Sequence, residues 1–355
     1  MEKAILIQCS DTKNSVDEDE EKLNELKLLA RSAHTQIIDS IIIKIKKINP
    51  ATYLTKGKVE LIKEKVKELQ PDVIIFNNEL KPIQVRNLSD TYNCKVISRT
   101  ELILDIFALR AKTREAKIQV ELAQLKYLLP RLTGYGVMMS RLGGGIGTRG
   151  PGEKKIEYDR RNIMRRISIL NKKLKNIEKH RELIVKNRKY KTVGIVGYTN
   201  AGKSTLLNAL SNEKLLTENR LFVTLDSTTR KIFLDNNKFI LLSDTVGFIR
   251  DIPHNLIASF KSTLSEAKNA DLLLHVVDIN DKYYQEKIDV VNEVLSELNI
   301  DISKSIYVFN KIDKGGTENR IKRINEIYPG SIFISAKNKI NLEKLKETII
   351  LRLGI

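Results

Sequence analysis

Along residues 1 to about 98 the apolar positions alternate between two rhythms. Ala4 to Gln8 reads as a strand, and Asp17 to Ser32 sets Leu23, Leu26 and Leu29 three apart, as on one face of a helix. Gln36 to Ile48 is rich in β-formers, Lys58 to Leu69 is helical and bounded by Pro71, and Val73 to Phe76 and Lys95 to Ser98 are short apolar runs. Short apolar runs separated by helical stretches are the mark of βαβ units, so this half predicts a small α/β layer domain with a mostly parallel sheet. The pattern then lengthens. Leu104, Ala108, Ala111, Ile118, Leu122, Leu125 and Leu129 follow steps of mostly three and four, broken at Glu115. Ile163, Ile167, Leu170, Leu174, Ile177 and Ile184 repeat the rhythm, broken at Arg181. Two stripes of similar length predict an antiparallel helical hairpin. Beyond residue 191 strand-like runs return at Thr192–Val196, Phe239–Leu242, Ser305–Phe309 and Ile332–Ile334. The predicted division is an N-terminal α/β domain over 1–100, a helical arm over 101–191 and a second α/β domain over 192–355.

Charge changes the picture at one place. The chain carries +18 overall, of which residues 154–191 hold +11, residues 1–153 hold +5 and residues 192–355 only +2. A positive charge concentrated on one short segment points to a polyanion, with RNA the leading candidate. Between the two helical stripes, residues 130–153 hold eight of the chain's 17 glycines together with Arg131, Arg141 and Arg149. A glycine-rich tip lets the backbone approach another surface closely, and arginines set among glycines suit phosphate contacts. Arg131, Arg141, Arg149, Lys154, Lys155, Arg160 and Arg161 are the candidate RNA contacts. Hydrophobic residues make up 41% of the chain, and no run reaches the roughly 18 consecutive apolar residues of a spanning helix. Cys9 and Cys94 have no metal-type spacing, and His34, His180, His254 and His275 are scattered. The pattern therefore predicts a cytoplasmic, monomeric protein without stable membrane insertion, with a peripheral membrane location as the alternative.

The candidate chemistry lies in the last domain. Gly197-Tyr198-Thr199-Asn200-Ala201-Gly202-Lys203-Ser204 is a G-x-x-x-x-G-K-S run between an apolar strand and a helical run. In that context it reads as a P-loop, whose N–H groups face phosphate, with Lys203 on the β- and γ-phosphates and Ser204 on Mg²⁺. Asp244-Thr245-Val246-Gly247 follows the next strand, and its Asp would hold Mg²⁺ through water while the glycine amide meets the γ-phosphate. Asn310-Lys311-Ile312-Asp313 follows another strand, and a carboxylate there accepts both N–H donors of the guanine edge, a pair adenine does not offer. Ser335-Ala336-Lys337 follows the last strand and suits a loop behind guanine O6. Four motifs in this order, each at a strand's carboxyl end, predict a G domain that binds GTP and GDP with Mg²⁺. A switch threonine on Mg²⁺ is expected between the P-loop and Asp244, with Thr224, Thr228 and Thr229 all open on sequence grounds. No general base is assigned. The position after Gly247, where Ras-like proteins orient water with glutamine, is Phe248, so hydrolysis should be slow until a partner or cation assists it. Asn200 suggests K⁺ as that cation, doing the electrostatic work of an arginine finger.

Several runs resemble one family. Ser140-Arg141-Leu142-Gly143-Gly144-Gly145-Ile146-Gly147-Thr148-Arg149-Gly150-Pro151-Gly152-Glu153 followed by Asp159-Arg160-Arg161 is similar to the signature of the HflX GTPases. So are Asn49-Pro50-Ala51-Thr52-Tyr53, Lys56-Gly57-Lys58, Phe222-Val223-Thr224-Leu225-Asp226 and Asp244 through Arg250. The resemblance implies a ribosome-associated GTPase that binds the large (50S) subunit and splits stalled or idle ribosomes, with the arm reaching toward the peptidyl transferase region. It also implies that the switch threonine on Mg²⁺ is Thr224 and that residues 222–226 join the nucleotide site. Ser227 departs from the proline usual in the family, which should loosen the switch loop slightly. The chain ends at Ile355 after the G domain's last helix, so the extra C-terminal domain of some relatives is not expected. The expected class is α/β: a small N-terminal α/β domain with a helical-hairpin arm, followed by a P-loop GTPase domain. A ribosome-assembly or RNA-modification GTPase and a regulatory GTPase at the membrane are the alternatives.

Overall fold

The computed structural model describes residues 1–140, 151–186, 188–211, 221–222, 228–235, 238–245, 247–251, 265–316 and 318–355. It divides into two compact units, Met1–Leu109 with Val120–Lys172, and Arg110–Gln119 with Lys173–Ile355.

In the first unit β1 (Lys3–Asp11), α1 (Val16–Ser32), β2 (Gln36–Ile45), α2 (Lys56–Leu69), β3 (Val73–Phe76), α3 (Pro82–Tyr92), β4 (Lys95–Ser98) and α4 (Arg99–Arg110) follow in order. The sheet is parallel throughout, in the order β2-β1-β3-β4. The Ser15 side chain caps α1 by accepting from the Glu18 amide, and Asp17, Glu18 and Asp19 place negative charge on its first turn, where the helix dipole favours it. Ile5, Ile7, Ile74 and Phe76 bury one sheet face with Leu54, Ile62 and Leu88. At the carboxyl ends of β1 and β3, where an open α/β sheet usually takes a ligand, the protein's own side chains bond to its own backbone and to one another. Asn78 donates to and accepts from the Cys9 backbone at 2.9 Å each. Buried Arg99 spans Glu25 and Asn77.

Two long helices follow, α5 (Arg114–Ser140) and α6 (Pro151–Lys186). The sequence pattern ran one helix from Leu104 through Leu129. The chain instead breaks at Ala111–Thr113, where Thr113 Oγ1 accepts from the Ala116 amide at 3.1 Å and caps a new start. Of the glycine-rich stretch read over 130–153, Pro130 to Ser140 belong to α5 and Pro151 onward to α6, while residues 141–150 lie outside the described residues. Proline lacks one helical N–H, and Leu132, Met138 and Met139 are good helix formers around it. Arg166 donates to Glu121 at 2.6 and 2.9 Å, and Arg181 to Glu115 at 2.9 Å, so the two helices pair in opposite sense.

The second unit carries β5 (Thr192–Val196), α7 (Lys203–Ser211), β6 (Thr228–Phe233), β7 (Phe239–Asp244), α8 (Ser265–Lys268), β8 (Leu272–Asp278), α9 (Tyr284–Glu297), β9 (Ser305–Asn310), α10 (Glu318–Ile327), β10 (Ile332–Phe333) and α11 (Leu342–Leu353). The sheet order is β10-β9-β8-β5-β7-β6, with β6 antiparallel and the rest parallel. Val193, Ile195, Leu242 and Leu274 pack against Leu206, Leu207, Leu345 and Ile349. Full burial of each such side chain is worth about 1.5–3 kcal/mol. Parallel strands place all their carboxyl ends on one edge, and the loops leaving that edge build the site.

Candidate functional site

The loop leaving β5 turns on two unusual residues, Asn200 in the left-handed region at φ 62° and Gly202 at φ 98°. Gly202 must be glycine for a second reason, since a Cβ there would run into the Asn310 side-chain amide. That Asn310 amide ties three loops. Its Nδ2 donates to the Ala201 carbonyl at 3.0 Å, and its Oδ1 accepts from the Ala336 amide at 2.9 Å. Lys203 is buried, and its ammonium donates to the carbonyls of Gly197 at 3.0 Å and Tyr198 at 2.8 Å. Burial lowers its pKa to about 8. A buried cation held by loop carbonyls is poised for transfer to an anion.

Asp244 ends β7 and is fully buried. The Ser204 hydroxyl donates to Asp244 Oδ2 at 2.6 Å, and Thr245 donates to the Ile195 carbonyl at 2.7 Å. Gly247 lies against the P-loop. A Cβ at Gly247 would stand 2.8 Å from Thr199 Cγ2 and 2.9 Å from Lys203 Nζ. Phe248 bridges the same loop through its backbone, accepting from the Thr199 amide at 2.7 Å and donating to the Gly197 carbonyl at 3.2 Å. Its side chain is buried, so it is not placed to orient water.

At the far end Lys311, also left-handed at φ 70°, donates to the Asn200 carbonyl and to Asp278 Oδ2, both at 2.7 Å. The Asn280 amide donates to the Lys311 carbonyl at 2.8 Å. Ser335 donates to Asp313 Oδ1 at 2.6 Å and accepts from the Asn338 amide at 3.1 Å. The Ser335 hydrogen bond, with Lys337 and Lys314 nearby, holds the Asp313 carboxyl below the usual range and keeps it an acceptor.

The P-loop, Asp244, Thr245, Gly247, Asn310 to Asp313 and Ser335 to Lys337 thus meet on one edge of one sheet. Phe222 is buried. Val223, Thr224, Leu225, Asp226, Val246, Arg141 and Arg149 lie outside the described residues. Lys154 and Lys155 fall on α6, with their side chains outside the description. Arg160 and Arg161 are exposed on α6, each within ion-pair range of Glu157. Arg131 is engaged inside its own unit, paired with Glu79 and stacked on the Tyr127 ring at 3.3 Å.

Sequence reasoning passed over Asp278 and Asn280. Both sit at the end of the apolar run Leu272–Val277, and the two polar residues at a parallel strand's carboxyl end were the available signal. It also passed over Glu266, which is buried on α8 and receives Arg188 at 3.1 and 3.2 Å and Arg181 at 3.8 Å.

The family models agree in order with these elements. One described as GTP-binding GTPase N-terminal matches residues 20–108, GTP-binding GTPase Middle Region matches 110–188, and 50S ribosome-binding GTPase matches 192–311. The GTPase HflX of Caldanaerobacter subterraneus subsp. tengcongensis is 51% identical, covering 98% of this chain and 80% of that protein. The chain belongs to the HflX family. The Escherichia coli GTPase HflX is 42% identical over 99% of this chain and 83% of its own length. Among solved structures, SsGBP in complex with GDP is 29% identical with a TM-score of 0.57, covering 100% of this chain and 99% of that one. A GTP-binding protein of Sulfolobus solfataricus in complex with GDP is 28% identical with a TM-score of 0.52, covering 100% and 99%. This HflX member is accordingly a GTPase, an α/β protein whose N-terminal domain precedes a P-loop GTPase domain. Among the described residues no helix is long and apolar enough to cross a membrane.

Proposed function

We propose that this HflX protein is a GTP-driven switch that engages the large ribosomal subunit and splits stalled or idle ribosomes. The observation that carries the reading is the division of labour along the chain. A near-neutral domain holds the nucleotide cradle, while the segment leading into it, residues 154–191 and mostly helix α6, carries +11 with Arg160 and Arg161 exposed. The match of residues 192–311 to a model described as 50S ribosome-binding GTPase supports the same partner.

GTP would sit with its phosphates on residues 197–204 and its base between Asn310–Asp313 and Ser335–Lys337, with Asp313 accepting from guanine. Residues 222–226 would join the nucleotide site and supply Thr224 to Mg²⁺, as the family resemblance implies. The donor set at Ser204 and Asp244 is oxygen only and already within 2.6 Å, which fits Mg²⁺. Bound there, the ion would neutralise phosphate charge. Lys203 would leave the carbonyls of Gly197 and Tyr198 for phosphate oxygen. With the Phe248 side chain buried, hydrolysis is slow until the ribosome orders the site, and K⁺ beside Asn200 would assist. The basic helix and the arginines of the arm would hold ribosomal RNA.

Light scattering of 70S ribosomes tests this. With the protein and GTP the signal falls as subunits separate, and 50S subunits raise the GTPase rate. Co-sedimentation with precursor subunits alone would favour an assembly factor, and recovery in the membrane pellet a regulator there.

A further inference from the structure

The buried, apolar Phe248 side chain stands where Ras-like proteins orient water with glutamine. Thr199 is the third residue of the Gly197–Ser204 run, and its side chain is buried at 7% exposure. Its Oγ1 has no hydrogen-bond partner among the described residues. Burying a hydroxyl without a partner is unfavourable, and valine would fill the same space without that cost. A hydroxyl kept under such conditions is a hydroxyl kept for a ligand.

Its surroundings identify the ligand's chemistry. Thr199 packs on Gly247, so that a Cβ there would meet Thr199 Cγ2 at 2.8 Å and Thr199 Cα at 3.1 Å. Lys203 Nζ would meet the same Cβ at 2.9 Å. The Thr199 backbone is fixed by its amide, which donates to the Phe248 carbonyl at 2.7 Å. A lysine ammonium, the Gly247 backbone and the Thr199 methyl and Cα therefore meet at one point, with the unpartnered Oγ1 on the same Cβ as that methyl. In a P-loop protein that point belongs to the terminal phosphate.

We propose that the Thr199 hydroxyl donates a hydrogen bond to the γ-phosphate of bound GTP, stabilises the charge that builds there during hydrolysis, and partly replaces the glutamine that Phe248 displaces. It rests on the GTPase assignment. In the reaction, water oxygen bonds to the γ-phosphorus and the bond to the β,γ-bridging oxygen breaks. The electron pair leaves with GDP, and the water protons pass to phosphate and solvent. Thr199 neither gains nor loses a proton. GDP lacks the γ-phosphate, so Thr199 contributes to triphosphate and transition state but not to product.

The test compares full-length wild type with Thr199→Val and Thr199→Ser, with Thr199→Ala as a second hydroxyl deletion should valine fail to fold. Single-turnover GTP hydrolysis, GDP affinity and thermal midpoint are measured for each. Loss of one preorganised donor is expected to slow hydrolysis on the order of 100-fold in Thr199→Val. GDP affinity stays at its wild-type value, the thermal midpoint of the valine variant holds or rises, and Thr199→Ser restores the rate. The proposal is overturned if the valine variant hydrolyses GTP like wild type. It is equally overturned if GDP affinity falls in step with the rate, or if serine is as slow as valine, since either marks a packing role. A wild-type protein that hydrolyses no GTP would defeat the GTPase assignment instead, and the two failures are told apart in the same experiment.

Discussion

Nucleotide affinity should fall as pH rises above 8, because of Lys203. Burial lowers this lysine from 10.5 to about 8, so the empty cradle loses its proton just above neutrality. Phosphate charge beside the ammonium restores the charged form, and binding therefore takes up a proton wherever the free site has lost one. The sign follows: below pH 8 the free site is already charged and affinity is flat, and above it each bound nucleotide must reprotonate the lysine. For a free-site pKa of about 8 the apparent Kd scales as one plus the ratio of neutral to charged lysine. That ratio is small at pH 7 and roughly ten at pH 9, so GDP binding weakens about tenfold, or ~1.4 kcal/mol. Titration calorimetry of GDP at fixed salt, in buffers of different ionisation enthalpy, reads both affinity and proton uptake. About half a proton per GDP is expected at pH 8. Constant affinity from pH 7 to 9, without proton uptake, would refute the picture of a buried lysine waiting on carbonyls.

Gly247→Ala places a Cβ 2.8 Å from Thr199 Cγ2 and 2.9 Å from Lys203 Nζ, so it should slow single-turnover hydrolysis at least about tenfold while GDP affinity holds. Asp313→Asn removes the acceptor pair for guanine and should shift preference from GTP toward xanthosine triphosphate by at least about 100-fold; unchanged GTP affinity would contradict the base assignment. Hydrolysis should run faster in K⁺ than in Na⁺, with the difference lost in Asn200→Ala, as a phosphate-release assay would report. Ribosome binding should fall steeply with salt, and replacing Arg160 and Arg161 by Ala should reduce the slope of log K against log salt by roughly two. Co-sedimentation across a salt series measures it.

Most of the parallel strands were legible because each is a short apolar run ending in a polar motif, but β8 (Leu272–Asp278), of the same kind, went unread because no nucleotide motif marked its end. Val73–Phe76, Lys95–Ser98 and Thr192–Val196 fall where the pattern puts them. Helix α3 was not, because Pro82–Tyr92 buries only Gln84, Leu88 and Tyr92 and shows little apolar periodicity. Strand β6 was hidden in a polar run, Thr228–Phe233, with one fully buried residue, Ile232, and its partner β7 supplies the pairing. At the site, the motif residues were read from spacing alone. Asp278, Asn280 and Glu266 were not, since each acts through a partner distant in sequence: Lys311, its carbonyl, and the arginines at 181 and 188.

Asn310 holds the phosphate loop and the base-side loop to each other through protein groups alone. The conformational entropy of these two loops is therefore lost during folding rather than during capture of nucleotide. Association should then proceed at the rate set by diffusion and orientation, about 10⁵–10⁷ M⁻¹s⁻¹, without a slow ordering phase. Differences in affinity between GTP and GDP would appear in how long each stays, not in how fast each arrives.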